Sequence, residues 1–294
     1  MRRIPALLLA VGLLAGCSAQ ATPSADGRVR VAAAFYPLAW VSSQVAPGAE
    51  VTDLTRPGVE PHDIELTFAQ TVALARADVV VHEQGFQAAV DEGVANDAEG
   101  TVIDAGAVAG LKPFADDPGQ IDPHFWQDPL KLAAVGDAVA AALARSDPAH
   151  AASYLAHAAR LRRELTALDG DYRRGLAYCR LHTIVSSHDA FGYLSRYGVH
   201  VVSIAGLSPD AEPTPAVLSG LHDLIRREGI TTVFSERLVS PKIADTLAHD
   251  VGVRSRVLDP VEGLSSETSH DTYLTLMRAN LQALEEANRC TPSS

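Results

Sequence analysis

The 294-residue chain is poor in aromatic residues (5%), has only three cysteines, and carries 24 basic side chains against 36 acidic ones. The resulting formal charge of −12 repels phosphate backbones and anionic surfaces, so general nucleic-acid binding is not expected. Beyond the N-terminus no apolar run reaches the roughly 18 residues that a membrane-spanning helix requires. The motifs HExxH, GxSxG and GxxxxGK(S/T) are absent, which removes the short signatures of a zinc protease, a nucleophile-elbow hydrolase and a phosphate-binding loop. The cysteines are too few and too widely spaced for a CxxC metal motif.

With 47% hydrophobic and 20% charged residues, the chain has the composition of a folded protein of one large or two ordinary domains. Its first residues read as an address. Arg2 and Arg3 form a positive start, Ile4 to Leu14 an apolar stretch shorter than a membrane span, and Leu13 to Ser18 (LLAGCS) resembles a bacterial lipobox. Residues 1–16 are therefore expected to be a signal peptide removed before Cys17, whose lipid would anchor the exported chain to the outer face of the cytoplasmic membrane. Residues 17–27 would form a flexible Ala-, Ser-, Thr- and Pro-rich tether. An ordinary secretory peptide with a chance cysteine is the alternative. In an oxidising compartment Cys179 and Cys290 are expected to pair, closing a loop worth at most ~4–5 kcal/mol by chain entropy; two separate buried thiols are the other reading.

Short β-rich runs alternate with longer helical ones. Strand candidates are Val29 to Phe35, Glu50 to Thr55, Asp78 to His82 and Thr101 to Asp104, then Thr183 to Ser187, Val199 to Ile204, Ile230 to Ser235 and Val253 to Leu258. Continuous apolar runs without alternation suit parallel strands covered on both faces. The expected class is α/β with two lobes, residues 28–147 and 179–294, each a mostly parallel four-stranded sheet. Residues 148–178 would join them as one long rigid helix, with Leu155, Leu161, Leu165 and Leu168 at helical spacing.

Open α/β sheets bind ligands beyond the carboxyl ends of their strands. Four groups stand in such loops: His62 in VEPHDIEL, His124 in IDPHFWQDP, His188 at the start of HDAFGY and Asp259 at the start of DPVEG. Two come from each half, so a cleft between the lobes can gather them, and three imidazoles with one carboxylate fill a tetrahedral zinc shell. The spacing alone forms no local motif, and the other eight histidines have ordinary settings: His150 and His157 on the connecting segment, His222 and His249 on polar helices, His82 and His200 in strands, His182 and His270 without a constellation.

The blocks PHDIEL, DPHFWQDP, SSHDAFGYL, SIAGLSPDAEPTP, FSERLVSPK and VLDPVEGL, in this order between Val31 and Leu284, closely resemble the metal-binding substrate-binding proteins of zinc and manganese ABC transporters, the cluster A-I type. The resemblance implies two α/β lobes joined by a rigid helix with the metal between them, and it carries the ligands onto His62, His124, His188 and Asp259. It further implies a protein that is not an enzyme: a monomer that captures a transported ion and delivers it to a membrane permease served by a cytoplasmic ATPase. Manganese-selective relatives tend to place a carboxylate where His188 stands, so three imidazoles favour Zn²⁺ as the transported ligand, with Mn²⁺ or mixed specificity as the alternative. Glu60, two residues before His62, is an auxiliary candidate that would replace a ligand or hold a water. Asp63 and Asp189 adjoin ligand histidines but are expected to be solvated. A zinc hydrolase and an adhesive surface lipoprotein are the remote readings.

This chain departs from the family pattern twice. The stretch Lys112 to Asp122 is short, acidic and free of histidine, where zinc members often carry a long histidine-rich loop. Arg237 stands in FSERLVSP where the family's usual FTEPLVSP has proline.

Overall fold

The computed structural model describes residues 28–114, 117–209 and 211–291. The expected signal peptide, tether and lipid-bearing Cys17 lie outside the described residues.

The first lobe runs β1 (Arg30–Ala33), α1 (Tyr36–Val45), β2 (Glu50–Asp53), α2 (Phe68–Ala75), β3 (Val79–His82), α3 (Ala88–Asp97), β4 (Thr101–Asp104) and α4 (Ala105–Ala109). The two ends of the acidic stretch pair as short antiparallel strands, β5 (Lys112–Pro113) with β6 (Ile121–Asp122). Then come α5 (Pro129–Ser146) and the long α6 (Ala151–Gly175). The second lobe runs β7 (Thr183–Ser186), β8 (His200–Ser203), α7 (Pro215–Glu228), β9 (Thr232–Ser235), α8 (Lys242–Val251), β10 (Arg254–Val257) and α9 (Tyr273–Ala287).

All eight expected strands form, each shortened by a residue or more at one end or both, except β4, which keeps its full span. The sheets are wholly parallel, in the orders β2-β1-β3-β4 and β10-β9-β7-β8. Numbered within its own lobe, the second order read backwards is 2-1-3-4, the same as the first, so the duplication seen as alternating runs is also one of topology. β3 (VVVH) and β9 (TVFS) are buried along their whole length, in keeping with their lack of polar/apolar alternation.

The connecting segment opens with one 3₁₀ turn, Pro148–His150, before α6. Its buried stripe is Tyr154, Ala158, Leu161, Leu165, Leu168 and Tyr172, recurring at three- and four-residue steps. Leu155, expected on that stripe, is 53% exposed; the neighbouring Tyr154 takes the inward position. A side chain at Gly136 of α5 would collide with Leu161 and Val41, so this glycine lets α5 lie close against α6 and α1. One apolar cluster continues from Val31 through α5 and α6 to Leu284 in α9, while a smaller one, around Val185, Leu221 and Leu247, fills the outer half of the second lobe. Cys179 and Cys290 are joined by a disulfide that ties the end of α9 to the chain just after α6.

Candidate metal centre

Each imidazole is aimed by the same local device. Asp122, at the end of β6, uses Oδ1 to accept both the backbone N–H of His124 (3.0 Å) and its ring Nδ1 (2.8 Å). Glu60 likewise accepts the backbone N–H of His62 (3.1 Å) and contacts its Nδ1. Glu236, beyond β9, accepts the backbone N–H of His188 (3.2 Å) and its Nδ1 (2.7 Å). In the neutral imidazole, a carboxylate on Nδ1 favours the tautomer that leaves the Nε2 lone pair for a metal. The first two pairs are spelled acid-Pro-His in the sequence, EPH at 60–62 and DPH at 122–124. That repeat was the available signal for orienting carboxylates; Glu236 lies 48 residues from His188, and no local pattern announces it.

The three rings face one another with centroids 5.4–5.7 Å apart. Phe86 and Trp126 wall them, lying 4.8 Å from His62 and 5.3 Å from His124 respectively. Opposite stands Glu262, whose Oε1 lies 3.4 Å from His124 Nε2 and 3.6 Å from His188 Nε2. One ligand atom from each of His62, His124, His188 and Glu262 falls within 4.8 Å of the others. Among the described residues this is the one His, Cys, Asp or Glu group close enough to hold a metal.

Glu262, and not the expected Asp259, completes this four-residue group. The loop carrying both carboxylates turns through Val261, a buried β-branched residue at φ 61°, a strained left-handed conformation. Asp259 builds that turn: its Oδ1 accepts the Val261 N–H (2.8 Å), and its backbone is clamped by Asn280 through two hydrogen bonds. Trp126 and Gln127 both donate to the Pro260 carbonyl from the other lobe. The turn delivers Glu262 to the histidines, while Asp259 Oδ2 faces Arg237 Nε at 3.2 Å. Choosing the first polar residue after the strand selects Asp259; the left-handed turn that brings forward the acid three residues later has no glycine to mark it.

Glu60 contacts a histidine Nδ1 and is absent from the four-residue group. Asp63 is exposed. His82 pairs with Asp91, His150 with Asp147, and His157 with the Val45 carbonyl.

The centre is electrostatically tense. Burial alone would lower the His188 imidazole, but Glu236 and Glu262 push it up to about 10. His124 is raised in the same way, with Asp122 and Glu262 overcoming burial. Burial would raise Glu262, yet the facing imidazoles hold it well below the usual carboxylate range. For Asp259, burial dominates and lifts the carboxyl to about 6, against the Val261 amide and Arg237.

The donor set passes a simple fit test. His62 Nε2, His124 Nε2, His188 Nε2 and Glu262 Oε1 are buried without a hydrogen-bond partner. Buried polar atoms are ordinarily paired, so four such atoms converging on one point suit a divalent cation of borderline softness.

Fold and site together define a class: a two-lobed α/β binding protein with a buried three-histidine, one-carboxylate cluster between its sheets. The profile of the periplasmic zinc-uptake complex component A, ZnuA, matches residues 31–287, and the chain belongs to that family. It is 30% identical over 298 residues to the high-affinity zinc uptake system protein ZnuA of Bacillus subtilis, covering 94% of this chain and 93% of that protein. It is also 30% identical to the zinc-binding lipoprotein AdcA of Streptococcus pneumoniae, over 97% of this chain but 61% of AdcA, so it spans about three fifths of that longer relative. Among solved structures, the laminin-binding protein Lmb of Streptococcus agalactiae, described as an adhesin with metal-transporting activity, superposes with a TM-score of 0.80 at 28% identity, covering 88% of this chain and 99% of that one. Zn(II)-bound AdcA from S. pneumoniae gives 0.78 at 29% identity, over 91% of this chain and 59% of that one.

Proposed function

We propose that this protein is the extracytoplasmic capture component of a zinc ABC importer, binding one Zn²⁺ through Nε2 of His62, His124 and His188 and a carboxylate oxygen of Glu262. The carrying observation is the convergence of four buried, unpartnered donor atoms within 4.8 Å. Family membership supports the transport role, and the zinc named for AdcA and the B. subtilis protein supports the choice of ion. Three nitrogens and one oxygen favour Zn²⁺ over Mn²⁺, which prefers oxygen and higher coordination. No bond in the cargo is made or broken: the protein binds the ion, carries it and releases it to the permease. Lipid on Cys17 would keep the monomer at the membrane surface where the permease lies.

The test is metal analysis of tag-free protein, followed by competition titration against a chromophoric chelator. One Zn²⁺ per chain is expected, lost in His188→Ala and strongly weakened in Glu262→Gln but not in Asp259→Asn. Loss in Asp259→Asn with retention in Glu262→Gln would restore Asp259 as the fourth ligand. Preference for Mn²⁺ by the parent protein would overturn the zinc assignment.

A further inference from the structure

The second carboxylate of the DPVE turn faces a guanidinium. Arg237, in the loop after β9, stands where the resemblance expects proline. Its Nε lies 3.2 Å from Asp259 Oδ2, and its Nη1 donates to Glu267 Oε2 at 2.8 Å. Asp259 is buried, and its Oδ1 is already committed to the Val261 N–H. Oδ2 is therefore its remaining oxygen; it is buried, makes no hydrogen bond, and faces Arg237 as an ion pair. Glu262, three residues on, already faces the histidines.

We infer that Arg237 is a specificity-determining residue: by pairing with Asp259 it keeps a second carboxylate oxygen off the captured ion and holds the shell at three nitrogens and one oxygen. The inference rests on the ligand set proposed above. A dication beside two ionised carboxylates on one turn would draw both, and a fifth, oxygen ligand moves a site away from the tetrahedron that zinc prefers and toward the oxygen-rich coordination of manganese. A guanidinium beside Asp259 opposes that by offsetting the charge of the carboxylate. Glu267 holds the guanidinium from the far side.

The experiment compares parent protein, Arg237→Ala, Arg237→Gln and the double variant Arg237→Ala/Asp259→Asn. One readout is the Zn²⁺-to-Mn²⁺ affinity ratio from equilibrium competition; the other is the visible spectrum of the Co²⁺-loaded proteins, intense for tetrahedral and weak for five- or six-coordinate cobalt. The Arg237 side chain is 31% exposed, so its truncation opens no core cavity, and the near-isosteric glutamine removes the charge with less change of shape. The two single variants should lower the Zn²⁺ preference by about tenfold or more, the range seen when groups that orient ligands are removed, and should weaken the cobalt band. The double variant should restore both. Unchanged ratio and spectrum in both single variants would overturn the inference, as would a change that Asp259→Asn fails to reverse. A parent protein that binds none of these ions would instead remove the ligand set itself.

Discussion

The three histidines do not share one environment. The side chains of His124 and His188 are fully enclosed, and their orienting carboxylates are at most 5% exposed. His62 and Glu60 keep 13% and 17% of their side-chain surface open to solvent. The first two leave hydrogen-bonded strand ends in the packed interior between the lobes. His62 instead rides on the irregular connection between β2 and α2, whose anchors include Thr55 to the Ala34 carbonyl, Gln87 to Thr55 and the Pro61 carbonyl, Gln70 to the Leu54 carbonyl, and the Gly58 N–H to the Leu264 carbonyl across the cleft. The capture role proposed above requires tight binding and also release. In the proposed site, His124 and His188 with Glu262 would provide a preorganised half-site, and His62 at the rim would be the ligand able to open without disturbing the core.

The largest expected effect breaks the sealed half. Apparent zinc binding free energies of about 10–16 kcal/mol shared over four ligands place one imidazole at about 3 kcal/mol. His124→Ala and His188→Ala should each lower zinc affinity by about 100-fold or more, as read by chelator competition. His62→Ala should cost less and raise the dissociation rate most, measured by stopped-flow transfer to a chelator. If His62→Ala costs as much as the other two without speeding release, the division into half-site and rim fails.

The orienting carboxylates come next. Asp122→Asn and Glu236→Gln should weaken zinc by about 10–100-fold, and Glu60→Gln, at the more open rim, by less. Equal losses at all three would erase the contrast between buried and rim histidines.

Much of this was legible beforehand, for identifiable reasons. Buried parallel strands announce themselves as unbroken apolar runs, and a histidine placed just past a strand end points at the sheet's ligand side. Glu262 and Glu236 were hidden because tertiary geometry selects them: a left-handed turn at a valine for the first, and packing of β9 beside β7 for the second. Leu155 and Tyr154 are adjacent, and the α6 stripe takes the tyrosine because position 154, four before Ala158 and seven before Leu161, lies in phase with it; the Tyr154 hydroxyl also reaches Asp147 at 2.7 Å.

Proton release offers a smaller test. In the metal-free protein, burial lowers His188 less than Glu236 and Glu262 raise it, leaving it near 10. It is therefore protonated at neutral pH, and zinc must displace that proton. Affinity should rise with pH up to about 10, by roughly tenfold per unit for each proton released. The same raised value means that the metal-free fold gains stability from this group below the unfolded imidazole pKa and loses it as pH climbs toward 10. Calorimetry in buffers of different ionisation enthalpy should find at least one proton released per zinc near pH 7.5, and fewer for His188→Ala. Equal release from parent and variant would show that the proton comes from elsewhere.

The smallest expected effect is in overall shape, and its smallness is informative. The apolar cluster runs unbroken from β1 through α6 into α9, and the lobes are further joined by Tyr193 hydroxyl to the Asp122 carbonyl, Tyr273 hydroxyl to the Trp126 carbonyl, and Trp40 stacked on Tyr273 at 5.0 Å. Swinging the lobes apart would break all of these and bend a continuous 25-residue helix, whereas moving the His62 loop breaks a handful of bonds. Metal binding is thus expected to act locally. The scattering radius of gyration should stay nearly constant on adding zinc, while hydrogen exchange slows across residues 54–67 and hardly changes along α6. Slowed exchange along α6 with a marked contraction would mean that the helix flexes, and the contrast between a fixed half-site and a moving rim would then belong to whole lobes and not to one loop.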